Sequence, residues 1–152
     1  MCAFELEVEG GTRVRITRSK PNPNDEWAAY YDDVTEGWIS FLNQLRFMLE
    51  HHPNDERRTL FFSADTTDAT PDTLIAGSPA AGGRVWFTAE NQRGVVVGDL
   101  GPGLLIVGAT AKGGAMAILT SYGQDDDAFG RTSDQWSAWW DRHQPRASGP
   151  VE

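Results

Sequence analysis

Adjacent histidines, a run of aspartates and scattered serines are the residues of this sequence whose types could support metal binding or catalysis. His51 and His52 stand just before Pro53, at the end of a helical pattern. Neighbouring residues on a helix point about 100° apart, which is poor geometry for holding one ion. Pro53 also ends the helix and removes the following carboxylates from its face. We therefore expect both histidines to interact with the terminal carbonyl groups of the helix.

The remaining candidates also lack the pattern that their chemistry requires. The run Asp125–Asp127 has neither the glycine nor the closing glutamate of a calcium loop and is typical of a helix N-terminus. Ser40, Ser63 and Ser121 have no nucleophile-elbow motif and no nearby histidine. The glycines of segment 101–103 precede a strand and no Walker lysine follows them. The sequence thus predicts no catalytic residue, no metal site and no cofactor, and hence a protein that is not an enzyme.

Two short N-terminal segments alternate apolar and charged residues and predict a β-hairpin. They are Phe4–Glu9 and Arg13–Arg18, joined by two glycines in a loop of odd length. The predicted register places apolar pairs on one face and ion pairs on the other. It pairs Val8 with Val14, Leu6 with Ile16, Glu9 with Arg13, and Glu7 with Arg15.

A long amphipathic helix is predicted between the prolines of segment 21–23 and Pro53. Its apolar residues recur at steps of three and four: Trp27, Tyr31, Val34, Trp38, Phe41, Leu42, Leu45, Met48 and Leu49. Such a helix is roughly 40 Å long, whereas a strand spans about 17–20 Å, so it must cross several strands. Gly37 in its interior predicts a close approach to a strand, since glycine otherwise weakens a helix.

The second half of the sequence predicts a strand, a short helix, a four-strand meander and a final helix. The strands cover segments 59–64, 84–90, 94–99, 104–110 and 115–122, and the short helix begins at Thr70-Pro71 and ends at Gly77. Several strands are apolar on both faces, which predicts a sheet that is covered on both sides or curls around its interior. A capping box at Thr132–Gln135 predicts the start of the final helix, which carries Trp136, Trp139 and Trp140.

These elements predict an α+β fold with an antiparallel sheet, a long amphipathic helix packed across it, and a C-terminal helix. The hairpin and long helix occupy residues 1–53, the strand–helix–meander–helix part occupies 54–144, and 145–152 form a tail. We expect the whole to form one compact unit.

Charge and composition exclude several classes of partner. The net charge of −9 repels phosphate backbones and anionic membranes, so we expect no nucleic-acid partner and no membrane partner. The single cysteine excludes an intrachain disulfide and a multi-cysteine zinc site. The N-terminus lacks the pattern of a signal peptide, and no apolar run reaches the ~20 residues of a membrane helix. We expect a cytoplasmic protein.

Two segments together resemble a known family. The strand Gly11–Thr17 and, after a polar gap, the helical run Glu36–Leu45 with its Gly-Trp pair resemble the end of a START-like (SRPBCC) domain. The subgroup is the one similar to activators of the ATPase of the 90-kilodalton heat-shock chaperone. In that family the pattern closes the domain, whereas here it opens the chain. The chain therefore resembles the C-terminal half of a tandem relative, with a partial or rearranged helix-grip fold.

The resemblance implies a function. START-like folds typically hold an apolar ligand between helix and sheet, so we expect a non-enzymatic protein that binds an apolar small molecule. Trp38 and Trp86 are the predicted walls of the cavity, with Leu42 and Phe87 as secondary lining, although core packing is the plain interpretation of any single tryptophan. The resemblance also leaves open a co-chaperone-like module that binds a protein client, and a cyclase-type enzyme.

Self-association is the last expectation from the sequence. The N-terminal hairpin lacks sheet neighbours, and the first strand offers an open edge to another chain. Exchange of such elements between copies readily makes dimers. We therefore expect a homodimer.

Overall fold

A computed structural model describes residues 2–23, 28–65, 67–98, 103–110 and 113–143, without the side chains of 28–30. The chain divides into two compact units, Met1–Thr35 and Glu36–Glu152. The division falls inside the first helix, α1 (Ala28–His51), whereas the sequence-based boundary between residues 53 and 54 follows the end of that helix. The predicted tail at 145–152 and the predicted start of α1 at 24–27 lie outside the described residues.

The first unit contains a two-stranded antiparallel hairpin, β1 (Cys2–Val8) and β2 (Thr12–Arg18). The loop has three residues, and Gly10 adopts a left-handed backbone with φ of 67°. The odd loop length and the sharing of faces were predicted correctly, but the predicted register is wrong by two residues. Leu6 pairs with Val14 and Glu7 with Arg13. A shift of two leaves every side chain on its face, so the alternation alone cannot detect it.

The second unit is built on a five-stranded antiparallel sheet in the order β3-β7-β6-β5-β4. Its strands are β3 (Arg57–Ala64), β4 (Val85–Thr88), β5 (Gln92–Val97), β6 (Gly103–Ala109) and β7 (Ala115–Tyr122). The other helices are α2 (Pro71–Ala76) and α3 (Asp126–His143). This arrangement confirms the predicted α+β fold with its long helix, C-terminal helix and strand meander.

Helices cover both faces of the sheet, which is one of the two arrangements that its doubly apolar strands predicted. On one face α2 and α3 pack on the sheet around Trp136, Trp139 and Trp140, which are all buried. On the other face α1 packs on the sheet from Glu36 onward through Phe47, which joins a second core cluster with Leu104 and Ile106. Strand β6 lies between two covered faces, so its residues Leu104–Val107 are completely buried.

The last helix begins six residues earlier than predicted. Its N-cap is Asp125, whose side chain accepts a hydrogen bond from the amide of Ala128 at 2.7 Å. Thr132 lies buried inside the helix instead of capping it. The aspartate run is therefore the helix N-terminus that its sequence suggested. The capping-box interpretation is wrong because Thr132 lies in the second turn of the helix and is not at its start.

Two further expectations are corrected by packing. A Cβ added at Gly37 would meet nothing within 4 Å, so the predicted close approach of a strand to this glycine is wrong. At the end of α3, the ring of His143 lies against Trp139 and occupies the space beside Gly77. His143 is therefore half-buried and not the solvated residue near a frayed end that its position suggests. No helix among the described residues is long and apolar enough to cross a membrane.

Candidate interaction surfaces

Two of the four predicted ligand-lining residues, Trp86 and Phe87, lie on the α1 side of the sheet. They are neighbours in β4, yet both pack against the cluster around Phe47 because the strand register shifts between Val85 and Phe87. The ring of Trp86 meets Phe47 edge to face at 5.2 Å. The ring of Phe87 lies over Gly94, where a Cβ would collide with it.

The other two predicted residues, Trp38 and Leu42, lie on a different side of α1. Helix α1 contacts the sheet through Glu36, Ser40 and Gln44, and Trp38 and Leu42 fall midway between them in sequence. Two residues of helix correspond to a rotation of about 200°, so both side chains point away from this face of the sheet. The structure therefore does not bring the four predicted residues together.

The apolar stripe of α1 is exposed at Val34, Phe41 and Leu49 and half-buried at its other described residues. The predicted helix packs on the sheet, but from Glu36 onward the stripe does not make most of this contact. Phe41 and Leu49 are 49% and 59% exposed, while Met48 alone among the later stripe residues packs against the sheet cluster. Trp38 contacts Phe41 edge to face at 5.7 Å.

A buried polar network joins α1 to the sheet, and sequence analysis missed it. The side-chain amide of Gln92, which is 0% exposed, donates to the Glu36 carboxylate at 2.6 Å. Its oxygen accepts from the Ser40 hydroxyl at 2.7 Å. One turn further on, the Thr120 hydroxyl donates to Gln44 at 3.0 Å. The spacing of four between Glu36, Ser40 and Gln44 was the available signal, but polar residues in a stripe normally indicate a solvated face.

The histidines at the end of α1 pack on aromatic rings. His52 stacks on Tyr122 with ring centres 4.3 Å apart, and its Nδ1 lies 2.8 Å from the Asp55 carboxylate. His51 packs on Phe47 at 4.9 Å and on Trp86 at 5.3 Å. The two histidine rings therefore pack in an aromatic cluster, instead of interacting with the terminal carbonyl groups of α1 as expected. Within the described ranges, no group of three or more His, Cys, Asp or Glu is placed to hold a metal ion.

Tyr122 is the buried phenol of this cluster. It is buried, and its hydroxyl has no hydrogen-bond partner within the described structure. Burial raises the pKa of the phenol above its ordinary value of 10.0, an effect that the charge of Arg57 opposes. The neutral phenol is therefore the form that the fold stabilises.

The hairpin of the first unit carries an exposed apolar face. Leu6 and Val8 are 72% and 78% exposed, and Val14 beside them is also exposed. The opposite face carries the ion pairs Glu7–Arg13 and Glu5–Arg15, each at 3.5 Å. A cavity of about 300 Å³ near the turn is lined by charged and polar residues, Glu7, Glu9, Gly11, Thr12 and Arg13. The hairpin is thus amphipathic, with Leu6, Val8 and Val14 exposed on its apolar side.

Comparisons with models of protein families, with curated proteins and with solved structures found no match for this chain. The resemblance to START-like domains therefore stays a prediction.

Proposed function

We propose that this protein is a non-enzymatic interaction module that binds an amphipathic helix of a partner protein on the apolar face of its hairpin. The observation that supports this most is the exposure of Leu6, Val8 and Val14 on one face of a regular two-stranded sheet. A two-stranded sheet is marginal in water and gains stability when a helix packs on it. Monomeric proteins rarely leave such a face open unless it binds something.

The dimensions of the hairpin favour a helix as the occupant. Two strands about 5 Å apart, with their side chains, present a strip about as wide as the 10 Å diameter of a helix. The seven residues of β1 span about 23 Å, which corresponds to about four helical turns. We therefore expect a partner segment of about fifteen residues with apolar side chains at helical spacing.

This proposal is the protein-client alternative of the sequence analysis, and the likeness to chaperone ATPase activators is compatible with it. The apolar small-molecule hypothesis has less support, because Trp38 and Leu42 lie on one side of α1 while Trp86 and Phe87 lie on the other. We therefore place the interaction on the hairpin.

The sole cysteine of the sequence provides a direct test. Cys2 is exposed, and its position in β1 has the same parity as Leu6, so its thiol lies on the apolar face. An environment-sensitive dye attached to Cys2 is titrated with a fifteen-residue amphipathic helical peptide and with a scrambled peptide of the same composition. We expect saturable binding of the amphipathic peptide with a blue shift, and at least about tenfold weaker binding of the scrambled one.

Variants on the two faces of the hairpin separate this site from nonspecific adsorption. Leu6→Glu should weaken binding of the peptide at least about tenfold, because it places a charge in the apolar contact. Glu7→Gln on the opposite face is the matched control and should leave binding unchanged, since its ion pair is exposed. Equal binding of both peptides, or equal binding by both variants, rejects the proposal.

A further inference from the structure

The two edges of the five-stranded sheet differ in how they are protected. The edge strand β4 has four residues and an irregular register with β5. The edge strand β3 has eight residues and pairs with β7 without interruption from Arg57 to Ala64. Short length and bulges are devices that prevent edge-to-edge pairing, and β3 has neither. We propose that the outer edge of β3 pairs with β3 of a second copy of this chain, which gives a continuous ten-stranded sheet.

The backbone of β3 has its hydrogen-bonding groups directed for this pairing. The amide of Gly123, after β7, donates to the carbonyl of Glu56, before β3, at 3.0 Å. In an antiparallel ladder alternate residues direct both backbone groups to the same neighbour, so Glu56 fixes the pattern of the whole strand. The residues that direct their amide and carbonyl groups to the outer edge are therefore Arg57, Thr59, Phe61 and Ser63.

Side-chain exposure at β3 follows the same alternation. Thr59, Phe61 and Ser63 are exposed on the α1 side of the sheet, and Phe61 is 64% exposed. The alternate residues Leu60 and Phe62 pack under α3, where Phe62 stacks on Trp140 at 5.7 Å. The edge therefore presents an aromatic side chain between two small hydroxyl residues. The opposite face of the same strand is covered by α3.

A twofold axis through Phe61 gives the register that we infer. It places Phe61 beside Phe61 of the second copy and Thr59 opposite Ser63, with about six backbone hydrogen bonds between the outward-directed groups. It also places Arg57 of each copy opposite Asp65 of the other, so that each end of the interface has a pair of opposite charges. A twofold dimer contains each of these pairs twice.

Neighbouring registers lose these contacts. A shift of one residue would set Leu60 opposite Phe61, whose side chains point to opposite faces of the sheet. A shift of two residues keeps the faces but sets Arg57 opposite Ser63 of the second copy and separates the two Phe61 rings. The charge pairing therefore selects the register centred on Phe61, and this selection can be tested by exchanging the charges.

A proline at the outer edge tests whether β3 is the interface. Ser63→Pro removes an outward-directed amide and leaves the hydrogen bonds to β7 intact, whereas Ser63→Ala keeps the amide and is the matched control. Sedimentation equilibrium of the parent chain should show a dimer with a Kd on the order of 10 μM, as expected of a small interface. Ser63→Pro should weaken it at least about tenfold and Ser63→Ala should not.

Charge exchange tests the register. R57D and D65R should each weaken the dimer about tenfold at low salt because like charges then face each other, and the combined variant should recover most of the affinity. The proposal is overturned if the parent chain is strictly monomeric, or if each single variant dimerises with the same affinity as the parent. Slow hydrogen exchange of the Thr59, Phe61 and Ser63 amides at concentrations where the chain is monomeric also overturns it, because another segment would then cover the edge. The β3 edge and the hairpin face have no residue in common, so each proposal is tested by its own variants.

Discussion

Two buried polar side chains of the second unit differ in what their polar atoms contact. Gln92 is completely buried, and both ends of its amide are hydrogen-bonded to α1. Tyr122 is buried to a similar degree, but its hydroxyl has no hydrogen-bond partner within the described residues. A satisfied amide fixes the position of α1 on the sheet, whereas an unsatisfied hydroxyl carries a desolvation penalty.

We predict that Tyr122→Phe removes an alkaline loss of stability. Burial raises the pKa of Tyr122 above 10.0, so the folded chain retains the phenol proton where the unfolded chain releases it. The stabilisation is therefore complete below pH 10 and is lost as the pH rises through the pKa of the folded state. Urea unfolding between pH 7 and pH 11 should show a steeper alkaline decline in the parent than in Tyr122→Phe.

The same variant has an expected effect at neutral pH. Phenylalanine preserves the ring that His52 stacks on and removes the unpartnered hydroxyl. The free energy of unfolding at pH 7 should stay unchanged or rise by up to about 1 kcal/mol. Parallel pH profiles for parent and variant, or a large loss of stability at pH 7, would contradict the environment described for Tyr122.

At the scale of elements, the sides of α1 differ in how they are buried. The side that meets the sheet is partly polar, with Glu36, Ser40 and Gln44, and is anchored by Phe47. In the apolar stripe, Phe41 and Leu49 remain exposed. A single hydrophobic stripe therefore does not define which side of this helix packs on the sheet, because buried hydrogen bonds give polar residues a place there.

Gly37 provides a prediction for the same helix. It is exposed, and a Cβ at this position would meet nothing within 4 Å. Gly37→Ala should therefore raise the free energy of unfolding by about 1 kcal/mol, since alanine loses less backbone entropy in a helix. Gly94→Ala is the contrasting variant and should destabilise, because its Cβ would collide with the ring of Phe87. A loss of stability in Gly37→Ala would instead indicate the strand contact that the sequence suggested.

At the scale of the whole molecule, the two units differ in how much surface they bury. Every residue of β1 is exposed, whereas β6 is buried over six consecutive residues from Gly103 to Gly108. Local stability follows burial and the number of strands in a sheet. We predict that backbone amides of β1 and β2 exchange with solvent at least about 100-fold faster than those of β6 in the purified protein.

Hydrogen exchange followed residue by residue measures this difference directly. The amides of β5 and β7 serve as internal references, since both strands pair with β6. Addition of the amphipathic peptide should slow exchange in the hairpin and leave β6 unchanged. Equal protection of hairpin and β6 in the protein alone would mean that the hairpin face is already covered.

The sequence by itself determined the kinds of elements and most of their positions. Alternation in Phe4–Glu9 and Arg13–Arg18 placed each hairpin side chain on its correct face, and Thr70, Pro71 and Gly77 located both ends of α2. The doubly apolar strands indicated a sheet that is covered on both sides or curls around its interior. These features depend on residues near one another in the chain, where periodicity and capping act directly.

Only the tertiary structure decided the choices among arrangements that local patterns treat as equal. A slip of two residues in the hairpin preserves both faces, so the alternation leaves the register open, and the folded hairpin selects the one with a three-residue loop. The polar side of α1 packs on the sheet because Gln92, about fifty residues away in sequence, donates a hydrogen bond to Glu36 and accepts one from Ser40. Thr132 lies inside α3, a helix that buries Trp136 and Trp139 against strands distant in sequence. A four-residue capping pattern carries no information about such distant contacts.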